Sequence, residues 1–292
     1  MTNTNPNKQP TVRVRVRFAK TGVMRFVGHL DIMRFFQKAV RRARLPIAYT
    51  GGFHPHQIMS FALPLGIGTT SEGEYMDIEL TERIDPQDAL CRLNEQMADG
   101  VEVLAFRYLP QKSKKAMAAV EAARYVVSLQ ALGEEAVIAL ACQDAKDSAQ
   151  TDHDRDSLTE LSFEMLLQEG IRVFYEEADQ IIITKKTKKS ERQLDLKPLI
   201  YEFRIPDAHE EAALAQVMAD RASQSQAACS HPCLLLTLSA GSTDNIKPEL
   251  VMSHFMKSLG VREDGYRLGI HRLDLLGKDG NGQLVSLGDA GE

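Results

Sequence analysis

From Val12 to Phe18, apolar and arginine positions alternate one by one: Val12, Val14, Val16 and Phe18 against Arg13, Arg15 and Arg17. A period of two sends successive side chains to opposite faces, so this run predicts a strand with one apolar and one arginine face. A turn at Thr21-Gly22 and a short connector lead to Gly28-His29. From Leu30 to Arg44 the period lengthens: Ile32, Phe36, Ala39, Val40 and Ala43 recur at helical spacing. Arg34, Lys38, Arg41 and Arg42 follow at steps of three and four, which lines them up as a basic ridge on another face. Leu45-Pro46 ends the helix, because proline disfavours a helical residue before it.

Beyond the helix, Ile47–Tyr49 reads as a short strand, followed by Gly51-Gly52 and the irregular Phe53-His54-Pro55-His56. Gln57–Ala62 is extended, Leu63–Ser71 a glycine- and proline-containing loop, and Tyr75–Leu80 a strand. Asp85-Pro86 marks a helix start, with aspartate as cap and proline in the first turn. Ala89, Leu90, Leu93 and Met97 form its buried stripe, and Val101–Tyr108 is a final strand. The order predicts an α+β, ferredoxin-like (split βαβ) domain over residues 11–110.

The rest of the chain is patterned less cleanly. Residues 1–10 read as a disordered tail and 111–124, with Lys112, Lys114 and Lys115, as a linker. Residues 125–277 are expected to form a second α+β domain, for which a repeat of the ferredoxin-like plan is one option. That domain carries an acidic insertion near 143–157, a helix at Leu158–Gln168, strands at Ile181–Thr184, Leu234–Leu238 and Tyr266–Leu275, and a helix after Pro248. Residues 278–292 are expected to be a flexible tail.

Charge changes this picture. The whole chain of 292 residues carries −5. Residues 1–60 hold eleven Lys/Arg against the single acid Asp31, so they carry +10 and the remainder −15. Ordinary solvated faces mix signs, so a segment this one-sided points to a polyanion partner. No apolar run is long enough for a membrane helix, and the polar N-terminus lacks the apolar core of a signal peptide, so a cytoplasmic location is expected. The four cysteines do not make a disulfide framework. Cys229, His231 and Cys233 fall short of a four-ligand metal set.

The candidate nucleic-acid contacts are Arg13, Arg15, Arg17, Lys20, Arg25, Arg34, Lys38, Arg41 and Arg42, joined by His54 and His56. Same-face residues on a strand are about 7 Å apart, near the spacing of phosphates along one nucleic-acid strand. A second basic cluster, containing Lys186, Lys188 and Lys189, follows the strand at Ile181–Thr184. His29, with Lys20 or Tyr49, is a candidate acid–base group, and His29, Asp31, His54 and His56 are candidate metal ligands. Each has a plainer reading: His29 and Asp31 at a helix start, and the His-Pro-His segment as loop packing. No cofactor is expected.

The stretch Lys20–Arg34, the run Arg41–Pro46, the Gly51–His56 loop and the segment Ser60–Asp77 resemble the radical-SAM-linked proteins. That family is a domain of unknown function found beside or fused to a radical S-adenosylmethionine enzyme. Lys185–Asp195 and Asn245–Pro248 are thinner islands of the same match. Gln57 stands where the family pattern has a basic residue after His-Pro-His. The resemblance implies a bacterial accessory protein acting with a radical-SAM enzyme as partner. The chain itself has no Cys-x3-Cys-x2-Cys run: Leu236 stands where the third cysteine of Cys229-x3-Cys233 belongs. The combined expectation is a non-catalytic, RNA-binding accessory protein for tRNA or rRNA modification. The alternatives are a metal-independent RNA endonuclease using His29 and a protein–protein adaptor for the radical-SAM partner.

Overall fold

The alternating run at the start of the chain becomes strand β1, Val12–Lys20. The computed structural model describes residues 11–131, 165–186, 191–210, 214, 232–241, 244–261 and 263–289. The tail 1–10, the acidic insertion near 143–157, and Lys188 and Lys189 lie outside the described residues. After β1 come helix α1 (His29–Arg42), β2 (Met59–Phe61), β3 (Thr70–Leu80), α2 (Pro86–Asn94) and β4 (Val101–Tyr108). The fold is mixed α/β, and the chain divides into two units, residues 1–123 with 272–292 and residues 124–271.

In the first unit, β1 pairs antiparallel with β3 on one edge and with β4 on the other. The short β2 pairs antiparallel with β3, placing Ser60 opposite Asp77. Val14, Val16 and Phe18 face Ile32, Phe36 and Val40 of α1 and Ala89 and Leu93 of α2, and all eight are buried. The Phe18 and Phe36 rings lie 4.7 Å apart, centre to centre. Helix α2 starts as its sequence dictates, with the Asp85 carboxylate accepting from the Asp88 N–H at 2.8 Å and Pro86 in the first turn. Helix α1 closes at Arg44, whose φ of 52° is the left-handed stop, ahead of Pro46.

Two expectations are corrected here. Residues 111–124 are not a bare linker, for they hold a short helix, α3 (Ala116–Ala119), and the start of β5 (Ala122–Ala131). Ala116, Ala122 and Ala123 are fully buried. Nor are the described residues of 278–292 a flexible tail. Strand β10 (Tyr266–Lys278) is followed by β11 (Leu284–Ser286), which pairs back onto Leu276–Lys278, and Leu287 is fully buried. The Asp279 carboxylate fastens the turn between them by accepting from the Asn281 and Gln283 N–H groups. Strand β10 also neighbours β3. The backbones approach so closely that a Cβ at Gly73 would lie 2.3 Å from the Asp274 Cα.

The second unit contains the hairpin β6 (Ile182–Lys186) and β7 (Glu191–Asp195), strands β8 (Ile200–Arg204) and β9 (Cys233–Ser239), and helix α4 (Pro248–Ser258). Strands β5, β9 and β8 are neighbours in that order, with β8 and β9 antiparallel. Phe203 and Phe255 meet edge-on at 4.9 Å in its core. Of the helix expected at Leu158–Gln168, the described part is helical from 165 to 171. Among the described residues, no helix is long and apolar enough to cross a membrane.

Candidate nucleic-acid interface

The outer face of α1 presents Arg34, Lys38, Arg41 and Arg42 to solvent, continued by the exposed Arg44. Arg34 meets Asp31 at 3.2 Å, but both side chains are 66% exposed, so the pair holds little and leaves the guanidinium available. Arg42 donates to the Gln96 carbonyl at 3.1 Å. These cations sit outward because Ile32, Phe36, Ala39 and Val40 claim the opposite stripe for the core.

Beside them stands the loop from Tyr49 to Gln57. Tyr49 and Gln57 form an antiparallel bridge, the Thr50 N–H donates to the His56 carbonyl at 2.8 Å, and the His56 N–H donates to the Thr50 hydroxyl at 2.9 Å. Gln57 Nε2 donates to the Gln37 carbonyl of α1 at 3.2 Å, which fixes the base of the loop against the helix next to Lys38. At the tip, residues 51–56 are exposed, including His54 and His56. Tyr49 is half exposed, and Phe53 is exposed over its whole side chain. An aromatic held wholly in water contributes nothing to a core, and its ring face is free for stacking.

The other predicted contacts are placed differently. Arg15 is 2% exposed and is no phosphate contact. Its Nε donates to Asp77 Oδ1 at 2.8 Å, Nη2 to Asp77 Oδ2 at 3.2 Å and to the Lys114 carbonyl, and Nη1 to the Leu287 carbonyl. Asp77 also accepts from the Ala116 N–H at 2.6 Å. Lys20 is 3% exposed, and its ammonium donates to the Val27 carbonyl at 2.7 Å. Burial holds its pKa below the ordinary lysine value, with Glu74 opposing and Arg272 reinforcing the shift. Arg13 is half-buried and donates to the carbonyls of Pro110 and Gln111. Arg17 is half-buried, with its Nε on the Glu72 carbonyl at 3.0 Å. The arginine face of β1 is therefore an inner face, covered by α3 and the residues around β11.

His29 opens α1 and lays its half-buried ring edge-on against Phe61 at 5.4 Å. Among the described residues no hydrogen bond joins it to Lys20 or Tyr49, so the expected acid–base partnership is not assembled. His29, Asp31, His54 and His56 do not converge either: among the described residues no three His, Cys, Asp or Glu side chains form a metal-sized group. Arg25 is exposed, with its guanidinium 4.8 Å from the Phe26 ring centre. Lys186 ends β6.

Sequence reasoning missed the acids behind the sheet. Arg272 holds Glu74 at 2.6 Å with both side chains buried. Tyr75 donates to Asp274 at 2.6 Å and lies 3.0 Å from the Ser286 hydroxyl. Burial raises the Asp274 pKa above the usual carboxylate value, while the Tyr75 and Ser286 hydrogen bonds and the Arg17 charge oppose it. Burial likewise pushes the Tyr75 phenol well above its ordinary value, helped by Asp274.

A family model described as "Uncharacterized protein conserved in bacteria (DUF2344)" matches residues 13–248. The chain belongs to this family. The DUF2344 match begins in β1 and ends at the first residue of α4, so it contains α1 and the Tyr49–Gln57 loop. A search of curated proteins found no match. Among solved structures, a chain of the Crystal Structure of a Cbf5-Nop10-Gar1 Complex is similar at 9% identity with a TM-score of 0.39. The likeness covers 89% of this DUF2344 chain and 47% of that one, so the protein spans less than half the length of the solved chain.

Proposed function

We propose that this DUF2344 protein binds RNA through the outer face of α1 and the Tyr49–Gln57 loop, as an accessory to a radical-SAM enzyme in RNA modification. One observation carries the reading. A fully exposed phenylalanine, Phe53, stands on a loop hydrogen-bonded to a helix whose outer face carries Arg34, Lys38, Arg41 and Arg42. Cations that track a backbone, together with an aromatic on which a base stacks, are how single-stranded nucleic acid is held without a deep pocket. His54 and His56 are exposed beside Phe53 and add hydrogen-bonding edges.

The antiparallel order β4-β1-β3, with β2 on β3 and helices after β1 and β3, supports a ferredoxin-like reading of the first unit. The radical-SAM partner rests on the resemblance over Lys20–Asp77. The exposed apolar side chains Val23, Phe26 and Leu30 give such a partner protein a place to dock. A gel-shift titration of total tRNA against salt tests the RNA reading. Binding that weakens steeply with salt is expected; no binding at low salt, or a flat slope, overturns it. Incubating the same RNA with wild type and His29→Ala separates binding from cleavage, and intact RNA in both tubes is expected.

A further inference from the structure

On the face of the sheet away from α1 and α2, a cavity of about 80 Å³ is lined by Arg15, Arg17, Arg107, Tyr75, Ser286 and Asp289. One water needs about 10–15 Å³ of such space, so the cavity has room for several waters or one oxyanion. Three guanidinium groups around so small a space call for an account of their charges. Arg15 is matched by Asp77 at 2.8 Å, both nearly buried. Arg107 is matched by Asp289 at 2.5 Å, but at the open end, where the two side chains are 51% and 59% exposed. The charge of Arg17 reaches Asp274, but that carboxylate takes its hydrogen bonds from Tyr75 and Ser286. Arg17 spends its Nε on the Glu72 carbonyl, its guanidinium lies 6.0 Å from the Tyr75 ring centre, and among the described residues it forms no ion pair. A half-buried cation with two uncommitted terminal nitrogens, facing a cavity, is an arrangement that proteins keep for an anion.

We propose that this cavity binds the terminal phosphate of a phosphomonoester, gripped by Arg17 and Arg107, with Asp289 as the internal acid that the phosphate displaces. Two guanidinium groups match the charge of roughly −2 on a phosphomonoester at neutral pH better than they match one carboxylate. The Ser286 hydroxyl supplies a further polar group at the wall. Asp289 lies beyond β11 at an exposed position, so its departure disturbs no core packing. Arg15 stays on Asp77 throughout and forms the fixed back of the cavity. This site is independent of the α1 face and stands whether or not RNA binds there.

The test is isothermal titration of the full chain with inorganic phosphate at constant ionic strength, with chloride as the control anion. Saturable one-site binding is expected. Removing the competing acid in Asp289→Asn should tighten it about tenfold, and Arg17→Gln should weaken it at least about tenfold, since each change deletes one charge-assisted contact. If Arg17→Gln does not fold, the exposed Asp289→Asn decides alone. Phosphate binding absent from both wild type and Asp289→Asn, or equal in wild type and Asp289→Asn, overturns the proposal. A second arm compares 5′-phosphorylated and 5′-hydroxyl oligoribonucleotides. Preference for the phosphorylated end assigns the cavity to an RNA terminus; equal binding of the two, with free phosphate still bound, assigns it to a small phosphomonoester.

Discussion

Replacing Arg15 by methionine separates a phosphate track from an internal clamp on the arginine face of β1. In the native protein the Asp77 carboxylate, 7% exposed, accepts from two nitrogens of Arg15 and from the Ala116 N–H. Arg15→Met leaves that carboxylate with one donor and strips a donor from the carbonyls of Leu287 and Lys114. Breaking a buried pair on one side costs about 3–5 kcal/mol, because the remaining charge stays desolvated. That corresponds to a melting temperature lowered by on the order of 10 °C for a unit of this size. Urea denaturation followed by circular dichroism at pH 7 reads the loss. Adding Asp77→Leu should return part of it, since the double variant leaves no orphaned charge, and the double-mutant cycle then gives a positive coupling. The opposite pattern refutes the reasoning: Arg15→Met with a wild-type urea midpoint and a salt slope for RNA lowered by about 0.7 would place Arg15 on a phosphate.

Three further outcomes are expected. Phe53→Ala and Tyr49→Ala should each weaken RNA binding by about 1–3 kcal/mol, the worth of one stacked base, in a gel-shift assay. Phe53→Ala should leave the melting temperature unchanged because the ring touches no core. Gly73→Ala should fail to give soluble protein or lose several kcal/mol in a urea titration, because the new Cβ would meet the Asp274 backbone at 2.3 Å. Tyr75→Phe should destabilise by about 1–3 kcal/mol at pH 7, by removing the hydroxyl from the partly buried Asp274. The folded Asp274 pKa already lies above the ordinary carboxylate value, and losing this hydrogen bond raises it further. The folded state then holds its proton more tightly, so stability falls as pH rises through the ordinary value toward the folded one. The deficit of Tyr75→Phe against wild type should therefore shrink once the pH drops below the folded Asp274 pKa, as urea midpoints measured from pH 7 to pH 3 would record.

Much of the first unit was legible because its signals are local. The alternation in β1, the stripe and proline stop of α1 and the Asp85-Pro86 cap each depend on a few neighbouring residues. What β1 turns its arginines toward is not local. Period two says that the two faces differ; it does not say that the second is covered, and here the cover comes from residues near 115 and near 287, the latter 272 positions from Arg15. The acid that answers Arg15, Asp77, was visible as a residue. Arg13, Arg15 and Arg17 stand opposite Glu79, Asp77 and Tyr75, but only in the observed register, and a slip of one residue turns the partners away. The Tyr75–Asp274–Ser286 cluster needs contacts across 199 and 211 positions, beyond any spacing rule.

The same distinction between local pattern and distant cover decides how much of the N-terminal charge reaches a partner. Of the eleven cations in residues 1–60, Arg15 and Lys20 are buried, and Arg13 and Arg17 are half-buried on backbone carbonyls. Lys8 lies outside the described residues. Arg25, Arg34, Lys38, Arg41, Arg42 and Arg44 remain exposed, five of them on α1 or directly after it. Arg41 and Arg42 also sit in the last turn of α1, where cations offset the helix dipole, so part of their charge serves the helix itself. Counterion release at about 0.7 per phosphate contact on a single strand then bounds the salt slope for RNA near −4 for six contacts. A gel-shift series from 50 to 200 mM salt should return a slope of about −2 to −4. A slope near −8, as all eleven cations would give, requires the inner arginine face to open onto the RNA and would overturn the assignment of Arg15 and Lys20 to the interior.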